Sequence, residues 1–569
     1  MSPSGFIMGR VFLAQVGILD ATILLLYLAA LVGIGILVRR PNEDEEGFVK
    51  GNGTLPFWAV GLSMMATAVA ADDFVGEPQF SFTSDCALLG AFAVGYLGVL
   101  IVATLFLPKF YRSDALTIYG YLGQRLGPRV QVAASLMSCI GNVFAAGVGL
   151  FIAAIAIAPL LGSELLDVKT GTDYRELLPM VVTTLVIAGV VGTAYTAIGG
   201  IRSVVWTDVL QTVVIFCGGL YAIWFLLNEI PLDWQEMTAR WSSSPDSKNP
   251  GETINKMRIF RSSGGIDDAY SPITLGLWVV YFVGIFGTNH NYTQRLLACK
   301  SPSKAGIGML FGYTFGMLTA VMFLLIGLLI YLFNDTSIMG EELAGSFGSS
   351  KDSADVYPQL VVNYFPTGLL GISLAAILAA VMSSFDSATT AIASSFVADV
   401  VRPIRNRLSG SQVDAQPDTR PRRPAMLATV ATGTLLTLSG VFAAITYDPE
   451  SKLLVDFALG IASFPIGGML GVFCCALFTT RGNEKSAIIA LVVGPIVWLF
   501  VQPDLLDNLT LSTLGGSLTL PSLSQYWFGS AIKFAWPWWF SISAVVSFFV
   551  CCSGKPSTLR GSSNQRDFG

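Results

Sequence analysis

Charge is scarce in this chain. Asp, Glu, Lys and Arg make up 12% of its 569 residues, 53% are hydrophobic, and the mean hydropathy is +0.64. A water-soluble protein cannot cover so much apolar surface, so an all-α polytopic membrane protein is expected. Histidine is scarcer still: His290 stands alone, which leaves no imidazole set for zinc. The eight cysteines (Cys86, Cys139, Cys217, Cys299, Cys474, Cys475, Cys551, Cys552) lie in or beside apolar runs and read as small hydrophobes, not as a disulfide framework. The chain has no Gly-Lys-Ser/Thr phosphate loop, and no polar stretch is long enough for a catalytic domain. An ATP-driven pump, an enzyme and an organic cofactor are therefore not expected. Nor is nucleic acid, since the net charge is −5 and no basic stripe is present.

What the chain does have is a series of apolar runs. At about 20 residues per crossing, thirteen spans are expected near 18–38, 56–80, 86–108, 130–161, 178–197, 204–228, 272–297, 305–333, 368–400, 425–446, 453–479, 486–502 and 530–552. The first is too long for a signal-peptide core and ends in Arg39-Arg40, so it is expected to remain as a span. Lys and Arg concentrate in alternate loops, among them Arg39 to Lys50, Lys109 to Arg129, Arg402 to Arg423 and the tail from Lys555. By the positive-inside rule those loops are cytoplasmic, with the N-terminus outside and the C-terminus inside. The expected location is the plasma membrane, or the inner membrane of a bacterium. Three polar stretches stand out: 228–270 outside as a partial lid, 340–366 outside with some helical pattern, and the Pro- and Arg-rich linker 402–424, expected to be mobile.

Polar residues inside the spans carry the functional signal. In the ninth run, Ala380, Ser383, Ser384 and Ser387 fall at i, i+3, i+4 and i+7, one face of a helix, beside Asp386. Neutral oxygens on one stripe at membrane depth suit a hard monovalent cation, although small serines also let helices approach closely. The second run places Asp72, Asp73, Gly76, Glu77 and Pro78 in mid-span, so a helix break is expected between Val69 and Gly76. Broken helices free carbonyls that coordinate sodium in secondary transporters; the acids could equally mark the outer end of a short span. Asp208 enters the sixth run just after Gly199-Gly200 and Arg202, either as a site carboxylate or as a helix N-terminal acid. Gln294, Arg295 and Lys300 are read as a cytoplasmic anchor, and His290 as structural.

Four of these segments, WAVGLSMMATAVAADDFVG, GGIRSVVWTDVLQ, TNHNYTQRLLACKS and AAVMSSFDS, occur in an order and spacing that resembles the sodium–solute symporter family, over roughly residues 18 to 480. The resemblance implies a five-plus-five inverted-repeat (LeuT-type) core, with first repeat 56–228, outer loop 229–271 and second repeat 272–479. A preceding segment 1–55 and a trailing segment 480–569 would flank it. Carried over by position, it implies a Na+ site of Ala66, Val69 and Ala380 backbone oxygens with the Ser383 and Ser384 hydroxyls. It also implies a second cation site at Asp208, Asp386 and Ser387, where the acids could hold sodium, share a proton, or pair with Arg202.

The implied function is sodium-coupled import of a small polar organic solute by alternating access. A proton-coupled carrier of the same fold and a non-transporting membrane sensor are the alternatives. Where the sugar carriers of the family place polar side chains, this chain has Phe92, Phe282, Ile285 and Gly316, which disfavours a sugar. Asp72, Asp73, Phe282 and Phe286 are the candidate solute contacts. Beyond the solute and the lipid bilayer, the sequence names no partner.

Overall fold

The computed structural model describes residues 17–39, 45–69, 71–113, 115–162, 174–245, 251, 253–339, 356–404, 423–446, 453–501 and 534–556. In chain order its main helices are α1 Ile18–Leu37, α2 Phe57–Ala68, α3 Ala71–Thr83, α4 Ala87–Ile101, α5 Ile118–Leu126, α6 Pro128–Gly162, α7 Tyr174–Glu229, α8 Trp234–Ser242 and α9 Leu277–Thr288. They continue as α10 His290–Leu297, α11 Pro302–Phe333, α12 Val356–Tyr364, α13 Leu369–Ser395, α14 Arg423–Thr446, α15 Leu453–Phe478, α16 Glu484–Val501 and α17 Trp536–Cys552. Among the described residues, eight stretches are long and apolar enough to cross a membrane, nine if α9 and α10 count as one bent span. The apolar part of α7 is 52 residues long and doubles back at Gly200, and shorter apolar helices stand at 57–68, 465–478 and 536–552.

The reversal inside α7 is made by one residue. Gly200 has φ +59° and ψ −152°, a backbone conformation that side chains with a Cβ resist. A Cβ on Gly192 would touch Phe385, and one on Gly218 would touch Ala376. Both arms of α7 therefore pack against α13, and the chain turns back at Gly200.

Two spans are broken. α2 ends at Ala68, Val69 is extended (φ −83°, ψ 108°), and α3 starts at Ala71, inside the window expected from the sequence. The second break, between α9 and α10, was not expected: the run 272–297 reads as one apolar span, yet the two helices meet at 60°. Asn289 causes it. Its backbone is extended (φ −97°, ψ 121°) and its side chain accepts from Asn291 N, a helix N-cap in mid-span.

α13 is the axis of the bundle, with 89% of its most apolar window buried against 28% for α1 and 39% for α14. A membrane helix surrounded on all faces by protein is free to carry polar groups that lipid would reject. Its outer end is fixed by α1, whose Asp20 carboxylate accepts from Gly368 N and Gly371 N, both at 2.7 Å. α2 lies close against α11 through Gly61, Gly308 and Gly312; a Cβ on Gly61 would stand 2.4 Å from Gly308 O. This seam holds the broken span by backbone proximity.

Outside the membrane, the expected lid is a charge-tied strap. Ser244–Pro245 pairs antiparallel with Thr253–Ile254. Lys256 Nζ then caps the end of α3, donating to Ser81 O, Phe82 O and Ser84 O at 3.2, 2.6 and 3.2 Å. Asp85, fully buried at the α3–α4 corner, accepts from Arg258 (2.9 Å) and Arg261 (3.0 Å), and Arg261 also pairs with Asp268 at 2.9 Å. Burial pushes the Asp85 carboxyl up, but hydrogen bonding and charge from Arg261, then Arg258, outweigh it and hold the carboxyl below its ordinary value of 3.8. A depressed carboxyl contributes stability above its unfolded pKa of about 3.9 and loses it as pH falls through the folded value. Strap protection in hydrogen exchange, read at 253–271, should therefore be constant from pH 5 to 8. Asp85→Asn should lower its local stability by about 2 kcal/mol, less than for a wholly buried pair because Arg258 is solvated. The expected fragments 340–355 and 405–422 lie outside the described residues.

Candidate cation-coupling site

The serine stripe of α13 faces the break between α2 and α3. Ser384 Oγ donates to Thr67 O at 3.5 Å, and Thr67 Oγ1 stands 2.8 Å from Ser387 Oγ. Ala66, Ala380, Ser383 and Ser387 are fully buried, Val69 nearly so, and Ser384 is half-buried. The carbonyls of a helix's last turn lack intrahelical donors, so the end of α2 presents backbone oxygen where α13 presents hydroxyls. Ser383 Oγ is buried and, among the described residues, makes no hydrogen bond of normal geometry; it lies against the Asp208 carboxylate. A buried oxygen without a protein donor, beside a broken helix, is the donor chemistry that a sodium ion completes.

The second cluster shares Ser387 with the stripe, and a basic side chain sits in it. Arg295, on α10 and 1% exposed, donates from Nε to Ser63 Oγ at 2.6 Å and from Nη2 to Ser387 Oγ. Its Nη2 lies 3.4 Å from Asp208 Oδ2, which also accepts from Ser63 Oγ at 2.5 Å. The anchor reading of Arg295 is therefore corrected: the 60° turn at Asn289 swings α10 into the bundle and carries the guanidinium inward. Gln294 is likewise buried and donates to Val49 O at 3.0 Å. Lys300 is exposed, as an anchor would be.

Of the three alternatives left open for the acids, pairing with Arg202 is the one that the contacts speak against. Arg202 donates to Gly51 O at 2.8 Å and to Thr54 Oγ1 at 2.5 Å, across the loop that precedes α2. Asp386 has hydrogen-bond partners of its own, within electrostatic reach of Asp208 and Arg295: it accepts from Tyr195 Oη and, at 3.2 Å, from Thr196 Oγ1, both on the first arm of α7. Buried oxygens and nitrogens without a hydrogen bond among the described residues gather around these two acids, namely Asp208 Oδ1, Tyr27 Oη and both amide atoms of Gln211. Arg295, Ser63, Thr67 and Tyr195 are members of the constellation that sequence reasoning missed. The available signal was the polar residues of WAVGLSMMATA one helical turn apart, at Ser63 and Thr67, matched to the serine stripe.

With this geometry in view, comparison with known proteins is direct. The model of the sodium:solute symporter family matches residues 48–494. The chain belongs to the sodium:solute symporter family. It is 22% identical over 493 residues to a sodium/sialic acid symporter of Aliivibrio fischeri, covering 86% of this chain and 89% of that one. It is 26% identical over 503 residues to a sodium/glucose cotransporter of Vibrio parahaemolyticus, covering 85% of each. Among solved structures, a substrate-bound, outward-open sodium-coupled sialic acid symporter superposes with TM-score 0.73 at 19% identity, covering 94% of this chain and 97% of that one. The protein is thus a multi-pass, sodium-coupled symporter of a small solute, with the inverted-repeat fold of this transporter class.

The candidate solute contacts on α9 sit in an aromatic cluster. Phe282 stacks on Phe286 (centroids 6.0 Å apart, planes at 12°), edge-on to Phe92 at 5.9 Å and Tyr313 at 5.4 Å. Tyr313 Oη donates to Phe92 O at 2.7 Å, and both phenylalanines are buried. Asp73 is half-buried on α3, while the Asp72 side chain lies outside the described residues.

Proposed function

We propose that the symporter binds one sodium ion between the α2–α3 break and the serine stripe of α13, using carbonyls of Ala66, Val69 and Ala380 and the hydroxyls of Ser383 and Ser384. The observation that carries the reading is the approach of Ser384 Oγ to Thr67 O, with the buried Ser383 Oγ one residue away, between this contact and the Asp208 carboxylate. A cation bridging two halves of a bundle favours the conformation in which both sets of ligands are in reach, which is all that coupling requires. Inward release is driven by the sodium gradient plus roughly 2.3 kcal/mol per charge for each 100 mV of membrane potential.

At the second cluster the positive charge in this reading is the protein's own. Asp208, Ser63 and Ser387 are occupied by the Arg295 guanidinium, so a sodium there would have to displace it. The core would run as two repeats, 56–228 and 272–479, flanked by α1 and by the two last spans. The relatives carry sialic acid or glucose. Apolar residues at Phe92, Phe282, Ile285 and Gly316, together with an acid at Asp73, favour a small polar solute gripped by few hydroxyl contacts, one with a cationic group included.

Ion replacement tests the whole reading. In proteoliposomes, uptake from a library of small polar solutes should require an inward sodium gradient and be electrogenic, and an inward proton gradient in sodium-free medium should not replace it. Uptake driven by protons alone would transfer the coupling role to the Asp386 and Tyr195 pair.

A further inference from the structure

Three thiols meet at the cytoplasmic end of the molecule, remote from the cation cluster. Cys475 lies in the last turn of α15, and Cys551 and Cys552 end α17. Cys552 Sγ is 3.3 Å from Cys475 Sγ, and Cys475 Sγ is 3.5 Å from Thr479 Oγ1 and 3.6 Å from Arg481 O. A Cβ on Gly482, at φ +91°, would stand 3.1 Å from Cys475 Sγ and 3.4 Å from Cys551 Sγ. All three are free thiols; Cys475 and Cys551 are buried and Cys552 is half-buried.

The crowding is built into the packing. α15 and α17 meet along small residues, where a Cβ on Gly467 would be 2.7 Å from Ser543 Oγ and one on Gly471 2.5 Å from Ala544 O. The backbones approach closely and their ends converge. Beyond them, Gly482 N donates to Gly554 O at 3.1 Å and Ser486 Oγ to Cys551 O at 2.9 Å, so the two chain ends are sewn together.

This end of α15 also receives α5. Tyr121 Oη donates to Ala476 O at 3.1 Å and Arg125 Nη2 to Thr479 O at 2.9 Å, while Lys109 Nζ donates to Leu477 O. At its other end α5 begins at Thr117, whose hydroxyl donates to Asp399, just beyond α13, at 2.6 Å. α5 therefore bridges the thiol cluster to the cytoplasmic end of the serine helix.

We propose that Cys475 and Cys552 form a reversible disulfide on exposure to a hydroperoxide, a modification site that staples α15 to α17 and immobilises the docking of α5. The half-exposed Cys552 gives up its proton as its sulfur attacks the outer peroxide oxygen; the S–O bond forms, the O–O bond breaks, and the proton leaves with one alcohol or water, giving a sulfenic acid. Cys475 then attacks the Cys552 sulfur, the S–O bond breaks, and water leaves with the Cys475 proton. Two thiols lose two electrons in all and the O–O bond gains them. A reducing cytoplasm keeps the pair open at rest and returns it by thiol exchange, the behaviour of cytosolic redox sensors.

The full chain in nanodiscs, treated with tert-butyl hydroperoxide, alkylated and digested, should yield a 475–552 cross-linked peptide pair. Hydrogen exchange in 118–126 should slow severalfold, and dithiothreitol should reverse both changes. Cys475→Ser and Cys552→Ser should remove both responses, whereas Cys551→Ser should respond like the parent. No cross-link, a cross-link through Cys551, or a 475–552 bond with unchanged exchange at 118–126 overturns the proposal. Neither readout needs a transported solute or sodium, so the result stands apart from the coupling reading.

Discussion

Ser383→Ala combined with Ser384→Ala should abolish sodium-dependent uptake while the protein still reaches the membrane folded. The asymmetry follows from what each hydroxyl does. Ser383 Oγ lies against the Asp208 carboxylate without a hydrogen bond of normal geometry among the described residues, and Ser384 Oγ has one long contact to Thr67 O, so alanine removes little that holds α13 in place. Alanine is also the better helix former. What disappears is two of the proposed sodium ligands, a loss of about 10- to 100-fold in cation affinity by analogy with other metal sites, or roughly 1.4 kcal/mol per tenfold. The measurement is the sodium concentration for half-maximal uptake, with a sodium-dependent thermal shift as a solute-free check. Undiminished sodium dependence in the double variant would place the cation elsewhere.

Much of this arrangement was legible in the residues. The spans follow from apolar runs, because a bilayer-crossing helix needs one face type repeated for about 20 residues. The α2–α3 break was readable in its window, although Gly76 and Pro78, which pointed to it, stand inside the continuous α3 and the break itself falls at Val69. The serine stripe was readable because its spacing is helical. The break at Asn289 was not. An asparagine inside an apolar span is a common polar tolerance, and only the extended backbone turns it into a cap. The inward course of Arg295 depends on that turn, so the true partner of Asp208 could not be found from proximity in sequence; Arg202, six residues before Asp208, was the misleading neighbour. Likewise, a run of charges at Asp85, Arg258, Arg261 and Asp268 reads as ordinary solvated loop until the fold brings residues more than 170 positions apart into contact. Long-range pairings of this kind leave no periodic trace.

Arg295→Gln should change the sodium stoichiometry, which makes it the sharpest test of how this symporter counts charge. In the parent protein the guanidinium joins Ser63, Asp208 and Ser387 in a buried cluster, and the Hill coefficient for sodium should be about 1, as for a single cation per cycle. Glutamine keeps the length for one hydrogen bond but leaves the Asp208 carboxylate without a counter-charge. Breaking a buried ion pair costs about 3–5 kcal/mol when the remaining charge stays unpaired, and the cheapest relief is a cation from solution. A second sodium at Asp208, Ser63 and Ser387 should then raise the Hill coefficient toward about 2, and the thermal stability lost without sodium should return as sodium is added. Arg295→Lys separates charge from shape. A single ammonium restores the counter-charge but not the fork that serves Ser63 and Ser387 together, so it should return the coefficient to about 1 with reduced uptake. A coefficient of about 2 already in the parent would mean that sodium displaces the guanidinium during the cycle, and the internal-cation account would fail.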